Sequence, residues 1–363
     1  MRSRKLLKKR HKLASALSRV RPQAPLRLLL PNQFQNKIAY RTKDGAALVG
    51  DSLELLKGSC GTALKGKVQL VFTSPPFPLN RKKAYDNKQG NAYKAWLTDF
   101  APLLCDLLTP TGSIVIEVGN AWEPGVPVMS TLALESLLAF KRRAKLHLCQ
   151  EFIWYNPAKL PTPAQWVTID RVRVKDAFTR LWWLSPSPHP YADNRNVLVP
   201  YSGAMQALLR TKKYNAGLRP SGHDIGPKSF LKKNGGAIPP NLLRIEAQEI
   251  HVPDSVLSGS NTGSFDAYQL FCREHEIQPH PARMPLALAE FFVKLCTRPG
   301  DLVFDPFAGS NTTGAAAERN KRSWISIEAR SDYAQAGRGR FMPPSRIQLP
   351  AKAIRNGPRK KRH

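Results

Sequence analysis

The chain has no apolar run long enough to cross a bilayer, and its nearest approach, Leu28-Leu29-Leu30, is cut short by Pro31. The protein is therefore expected to stay off membranes and in the cytoplasm. Its five cysteines form no C-x-x-C pair and have no histidine at ligand spacing, so zinc and disulfide frameworks are both unsupported and each cysteine reads as a buried, reduced thiol. The phosphate-cradling signature G-x-x-x-x-G-K-S/T is absent, which argues against ATP chemistry, and the dinucleotide signature G-x-G-x-x-G is absent too. Acids are missing from both ends. Met1 to Lys43 carries thirteen Lys or Arg and Tyr333 to His363 nine more, with no Asp or Glu in either stretch.

These ends hold +22 of a net charge of +30, leaving about +8 for the middle of a 363-residue chain. Such a balance points to a polyanionic partner. Runs such as Lys8-Lys9-Arg10-His11-Lys12 and Arg359-Lys360-Lys361-Arg362 read as arms that touch phosphates without reading sequence, or as solvated tails.

Between the ends, hydrophobic content of 42% suffices for one sizeable core and a smaller lobe. Strands are expected at Ala46–Asp51, Val68–Phe72, Ser113–Val118, Leu146–Trp154, Ala177–Leu184, Leu302–Asp305 and Ser323–Glu328. Helices are expected at Ser52–Leu56, Tyr93–Leu108, 128–140, Leu286–Cys296 and Thr312–Arg319, with a turn at Thr109–Gly112. This alternation predicts an α/β fold, a parallel or mixed sheet with helices on both faces. From Ser185 to Gln278, frequent Pro, Gly and Asn predict a loop-rich insert, the candidate lobe for reading a polyanionic partner. The expected organisation is a basic arm at 1–37, a catalytic half at 38–184, the insert at 185–278, a cofactor half at 279–340 and a basic tail at 341–363.

Two loops carry chemistry. Strand 302–305 ends in Asp305 and runs through Pro306-Phe307-Ala308-Gly309-Ser310-Asn311 into a helix near Thr312, so backbone N–H groups face the crevice where doubly wound sheets bind ligands. The next strand ends in Glu328, a carboxylate suited to two vicinal ribose hydroxyls. Asn311 tolerates the left-handed backbone that such a turn needs. Earlier, strand 68–72 delivers Thr73-Ser74-Pro75-Pro76-Phe77. Ser74 and the adjacent carbonyl can accept hydrogen bonds from an amine, the prolines stiffen the loop, and Phe77 offers a face for an extruded base. Glu117 near the end of its strand is a candidate proton acceptor or a structural acid. Asp51, also at a strand end, is either a ligand of an adenine amino group or a helix cap.

With Gly50–Leu56, Trp154–Pro161, Arg173–Ala177, Arg219–Gly226, Asn234–Leu243, His280–Pro285 and Gly309–Gly314, these loops resemble the cytosine-N4-specific β class of DNA amino-methyltransferases over residues 40 to 338. In that class the catalytic loop precedes the cofactor loop, a circularly permuted order of the Rossmann-like methyltransferase fold. The resemblance implies S-adenosyl-L-methionine as cofactor and methyl transfer to N4 of a cytosine flipped from double-stranded DNA. It also implies protection of a CAGCTG-like site from a cognate restriction endonuclease, action as a monomer, and association with the nucleoid through DNA. Ser74, Pro75, Pro76 and Phe77 would form the catalytic loop, Asp305, Phe307, Gly309, Ser310 and Thr312 the methionine-side loop, and Glu328 the ribose ligand. His280 and Pro281 would open the segment that closes over the cofactor. The acid on the strand after the catalytic loop is Glu117 here, where the relative that the resemblance rests on has Asp.

Rivals remain. N6-adenine methylation uses the same geometry but more often has Asp in place of Ser74, an RNA target would suit the basic ends equally, and a binding protein could retain a methyltransferase core without activity. No cysteine follows a proline, so the covalent Pro-Cys route to carbon-5 methylation is not available.

Overall fold

A computed structural model describes residues 32–77, 88–157, 159–244 and 266–342. The expected basic arm up to residue 31, the tail from 343 and the cationic run Arg81-Lys82-Lys83 lie outside the described residues. The strands are β1 (Ile38–Arg41), β2 (Gly45–Val49), β3 (Val68–Thr73), β4 (Leu108–Gly119), β5 (His147–Tyr155), β6 (Phe178–Ser185), β7 (Gly217–Leu218), β8 (Asp224–Ile225), β9 (Leu242–Arg244), β10 (Leu302–Asp305) and β11 (Ser323–Glu328). The helices are α1 (Ser52–Lys57), α2 (Ser59–Leu64), α3 (Gly90–Leu107), α4 (Leu132–Arg143), α5 (Gly203–Thr211), α6 (Ala267–Glu274), α7 (Leu286–Cys296), α8 (Thr312–Arg319) and α9 (Ser331–Gly337).

One sheet of nine strands, ordered β1-β2-β11-β10-β3-β4-β6-β5-β9, organises the chain. Strands β2, β11, β10, β3 and β4 run parallel, and β6 lies antiparallel between β4 and β5. All six residues of β3 and all four of β10 are buried, as strands covered on both faces must be. Alternation assigns the faces. Val71, Ile114, Ile116, Phe304 and Ile325 pack on the side of α3 and α4, while Leu70, Phe72, Val115, Val303 and Trp324 meet α7 and α8. Helix α3 buries Tyr93, Leu97, Phe100, Leu104 and Leu107, the 3.6-residue stripe that the aromatic-rich segment implied.

Several boundaries differ from expectation for local reasons. Among the described residues a 3-10 helix, Asn32–Lys37, precedes the expected start of the catalytic half at 38, and its Phe34 inserts into the core. The turn expected at Thr109–Gly112 is a bulge within β4, where Val68 pairs with Leu108 but Leu70 with Ser113. Helix α4 starts at Leu132 rather than 128, since a bridge between Trp122 and Met129 and the Ser130 N–H to Ala121 carbonyl bond hold that stretch as a turn. The loop-rich stretch 185–278 contains α5 and α6 and returns to the sheet through β9, beside β5. All five cysteines are free, but Cys105 and Cys149 are only half-buried.

Candidate active site

Parallel strands carry their C-terminal ends to one edge of the sheet, and the expected site residues gather there. Strand β10 lies between β11, its successor in the chain, and β3, far earlier, so the connections diverge and leave a crevice. Across it the two loops are tied together. Thr73 Oγ1 donates to Asp305 Oδ1 at 2.7 Å, and Thr313 Oγ1 reaches Asp305 Oδ2 at 2.7 Å. The Phe307 N–H also donates to Asp305 Oδ1, at 3.0 Å. Asp305 is buried, and burial raises its pKa against the pull of these three donors. Its oxygens hold the crevice walls together.

The cofactor loop turns through Gly309 at φ +50° and Asn311 at φ +56°. Asn311 is the left-handed residue anticipated, and it also caps α8 by accepting from the Gly314 N–H at 3.2 Å while donating to the Tyr40 hydroxyl at 2.7 Å. A Cβ at Gly309 would lie 3.2 Å from the His280 ring, so the loop and the His280 segment approach too closely for a larger residue. Pro281 follows in that segment, whose position is fixed by the His280 N–H donating to the Tyr268 hydroxyl at 2.8 Å and by the His280 ring edge-on to Tyr333. Glu328 accepts from Gly309 N–H at 2.8 Å and Arg330 N–H at 3.1 Å, and burial raises its pKa. Ser310 sits within reach of Thr312 at 3.3 Å, and Arg340 clamps it from behind through Nε to its carbonyl and Nη2 to its Oγ. Phe307 packs on Trp96 and Phe100.

Asp51 takes its capping role. Its Oδ1 accepts from the Leu53 and Glu54 N–H groups at the start of α1, next to a Ser52 hydroxyl that donates to the Pro306 carbonyl. Asp51 thus anchors the helix that abuts the cofactor loop, with Oδ2 outside the cap.

The catalytic loop, Ser74 to Phe77, leaves β3 beside the end of β4. Thr179 Oγ1 donates to Glu117 Oε1 at 3.1 Å, and the Ser74 side chain lies close enough to the Glu117 carboxyl to favour its charged form. Burial raises the Glu117 pKa to about 7, opposed by these two hydroxyls and by the charge of Lys159. Phe77 lies over Gly119, where an added Cβ would fall 2.5 Å from its ring. Pro75 and Pro76 fix the backbone between these two contacts. Beside Glu117, Asp176 accepts from Lys159 Nζ at 2.7 Å and Asn120 Nδ2 at 2.9 Å, closing the end of β4 onto β6.

Residues 68–338 match the family described as DNA methylase. The chain belongs to the DNA methylase family. This DNA methylase is 43% identical over 311 residues to the type II methyltransferase M.PvuII of Proteus hauseri, across 85% of this chain and 87% of that one. It is 25% identical over 307 residues to the type II methyltransferase M.ScaI of Streptomyces caespitosus, across 83% of each chain. Its fold is similar to that of the solved PvuII DNA methyltransferase (cytosine-N4-specific), with a TM-score of 0.65, 36% identity and coverage of 86% of this chain and 93% of the other. DNA is therefore its substrate, and among the described residues no helix is long and apolar enough to cross a membrane. Thr179, Tyr268 and Arg340 belong to the DNA methylase's site region but carried no motif signal. Thr179 enters through the pairing of Gly119 with Thr179, and the other two through packing of α6 and the 3-10 turn Arg338–Phe341 behind the cofactor loop.

Proposed function

We propose that this protein methylates the exocyclic N4 of cytosine in duplex DNA, acting as a monomer and as the protective partner of a restriction endonuclease. The observation that carries the reading is the placement of the Ser74 loop, at the end of β3, between the buried Glu117 on β4 and the Asp305 loop on β10, to which Thr73 is bonded. S-adenosylmethionine fits that crevice. Gly309 presents bare backbone at the turn, the half-buried Glu328 carboxylate beside it accepts from the Gly309, Ala329 and Arg330 N–H groups with capacity left for a ribose hydroxyl, and Phe307 packs next to the turn on Trp96 and Phe100. When bound, the cofactor supplies an electrophilic methyl group on a sulfonium.

Ser74 Oγ and the neighbouring backbone carbonyl accept hydrogen bonds from the cytosine amino group and aim the nitrogen at that methyl. Phe77, held on Gly119, stacks on the flipped base. As the nitrogen–carbon bond forms and the sulfur–carbon bond breaks, the amine proton passes through the Ser74 hydroxyl to the Glu117 carboxylate. A carboxylate titrating near 7 is a competent acceptor at neutral pH. Glu117 is seated for this role by the Thr179 hydroxyl.

Incubation of the purified protein with unmethylated plasmid and S-adenosylmethionine, followed by digestion to nucleosides and mass spectrometry, tests this reading. N4-methylcytosine is the expected product. N6-methyladenine would overturn the substrate, and no methylated base would overturn the proposal.

A further inference from the structure

The segment between β5 and β6 has a surface that the catalytic machinery does not use. Because β5 ends and β6 begins where β4 ends, the described residues 159–177 lie at the same edge of the sheet as Glu117 and Phe77. Val174 is 86% exposed, Leu160 73% and Ile169 66%, with Val172 half-exposed between two cations. The stretch Arg171-Val172-Arg173-Val174-Lys175 thus offers aliphatic side chains and positive charge to solvent in alternation. Scattered exposed aliphatics need no explanation, but Ile169, Val172 and Val174, three of seven consecutive residues interleaved with three cations, form a surface that does.

The patch is held in place. The Val172 and Arg173 N–H groups bond to the Trp166 carbonyl at 2.9 and 3.1 Å, and Trp166 packs against Trp122 with ring centroids 5.5 Å apart. Arg173 Nε donates to the Pro127 carbonyl at 2.9 Å, and Lys175 Nζ to the Pro157 carbonyl at 2.8 Å. Carbonyls orient these cations without neutralising them. The acids that flank the stretch are engaged elsewhere, Asp170 by Gln165 and Asp176 by Lys159 and Asn120, while Glu123 is the acid on the facing turn.

We propose that residues 169–175 form a second DNA-contacting wall, separate from the insert at 185–278, that grips the duplex beside the flipped base. Arg171, Arg173 and Lys175 meet phosphates, and Val172 and Val174 pack on sugars and base edges exposed when the stack opens. Charge complementarity with the family's substrate and position on the catalytic edge select DNA over an apolar protein partner. The inference rests on the DNA-modifying reading.

The test compares wild type, the triple variant Arg171→Ala, Arg173→Ala, Lys175→Ala, and the double variant Val172→Ser, Val174→Ser. Binding of a fluorescein-labelled duplex is measured against salt, alongside turnover and S-adenosylmethionine affinity. Loss of three phosphate contacts is expected to lower the slope of log K against log salt by roughly 2 to 3 and to weaken binding at least about tenfold. The valine variant should weaken binding with the salt slope unchanged, and both should bind the cofactor as wild type does. An active wild type whose slope matches that of the triple variant overturns the wall alone, and a wild type that methylates no DNA overturns both readings. A wild-type dimer that the valine variant splits into monomers would make the face a self-association surface and overturn the proposal.

Discussion

Replacing Glu117 by glutamine removes a carboxyl that burial holds at a pKa of about 7 instead of the usual 4.5. In the unfolded chain that group loses its proton near 4.5, so between the two values the folded protein binds more protons than the unfolded chain. Stability therefore falls as pH rises through this window. At about 1.4 kcal/mol for each pH unit between the two values, the accumulated cost approaches about 3 kcal/mol by pH 8. Glutamine keeps an acceptor for the Thr179 and Ser74 hydroxyls but carries no ionisation cost. Its new N–H2 group adds a stability offset that does not vary with pH, so only the pH dependence of the difference is diagnostic.

Urea unfolding of both proteins from pH 5 to 8 reads that difference, since every other titrating group is shared. Glu117→Gln is expected to gain about 2 to 3 kcal/mol on wild type across the range. Activity should move the opposite way. The wild-type rate rises with pH through about 7 as the carboxylate forms, while the variant loses about 10²- to 10⁴-fold and shows no such limb. Unfolding curves that run parallel in pH would refute the buried, proton-accepting role of Glu117.

Three other substitutions follow from the geometry. Gly119→Ala drives the Phe77 ring from its seat and should lower kcat by about 10²-fold with cofactor affinity unchanged, checked by steady-state kinetics and calorimetry. Thr179→Val removes a hydroxyl that holds the Glu117 pKa down, so the acidic limb of the rate profile should move to higher pH, and an unmoved limb would show that this bond is idle. Asp305→Asn replaces one acceptor oxygen with a donor facing a threonine hydroxyl, which should cost about 2 kcal/mol in chemical denaturation and weaken S-adenosylmethionine binding.

Much of the fold was legible because the central strands repeat apolar residues and end in recognisable loops. Val68–Phe72 and Leu302–Asp305 are too apolar for a one-faced strand, and the aromatic stripe of α3 has an unambiguous period. The start of α4 was obscured because residues 128–131 continue a polar–apolar pattern yet are held by contacts to Ala121 and Trp122. Asp51 carried two readings that local sequence cannot separate, since a strand-end acid before a helix suits both a cap and a ligand; its two backbone donors assign the cap. Thr179, Tyr268 and Arg340 were hidden for another reason. Each acts through register or packing between distant segments, and α6 in particular lies before Gln278 in sequence but buttresses the cofactor loop through Tyr268.

The order of the two loops in the chain is irrelevant to the crevice they build. What creates it is the spatial position of β10 between β11 and β3, whose connections leave in opposite directions. The two walls come from residues 232 positions apart, so closing that contact costs chain entropy that local turns do not. Asp305 offsets the cost at one point, accepting from Thr73 on the catalytic wall and from Thr313 on the cofactor helix. A carboxylate bonded to both walls in this way holds the cofactor loop and the Ser74–Glu117 pair in mutual register. It is this register that lets a base entering from one side meet a methyl group held on the other.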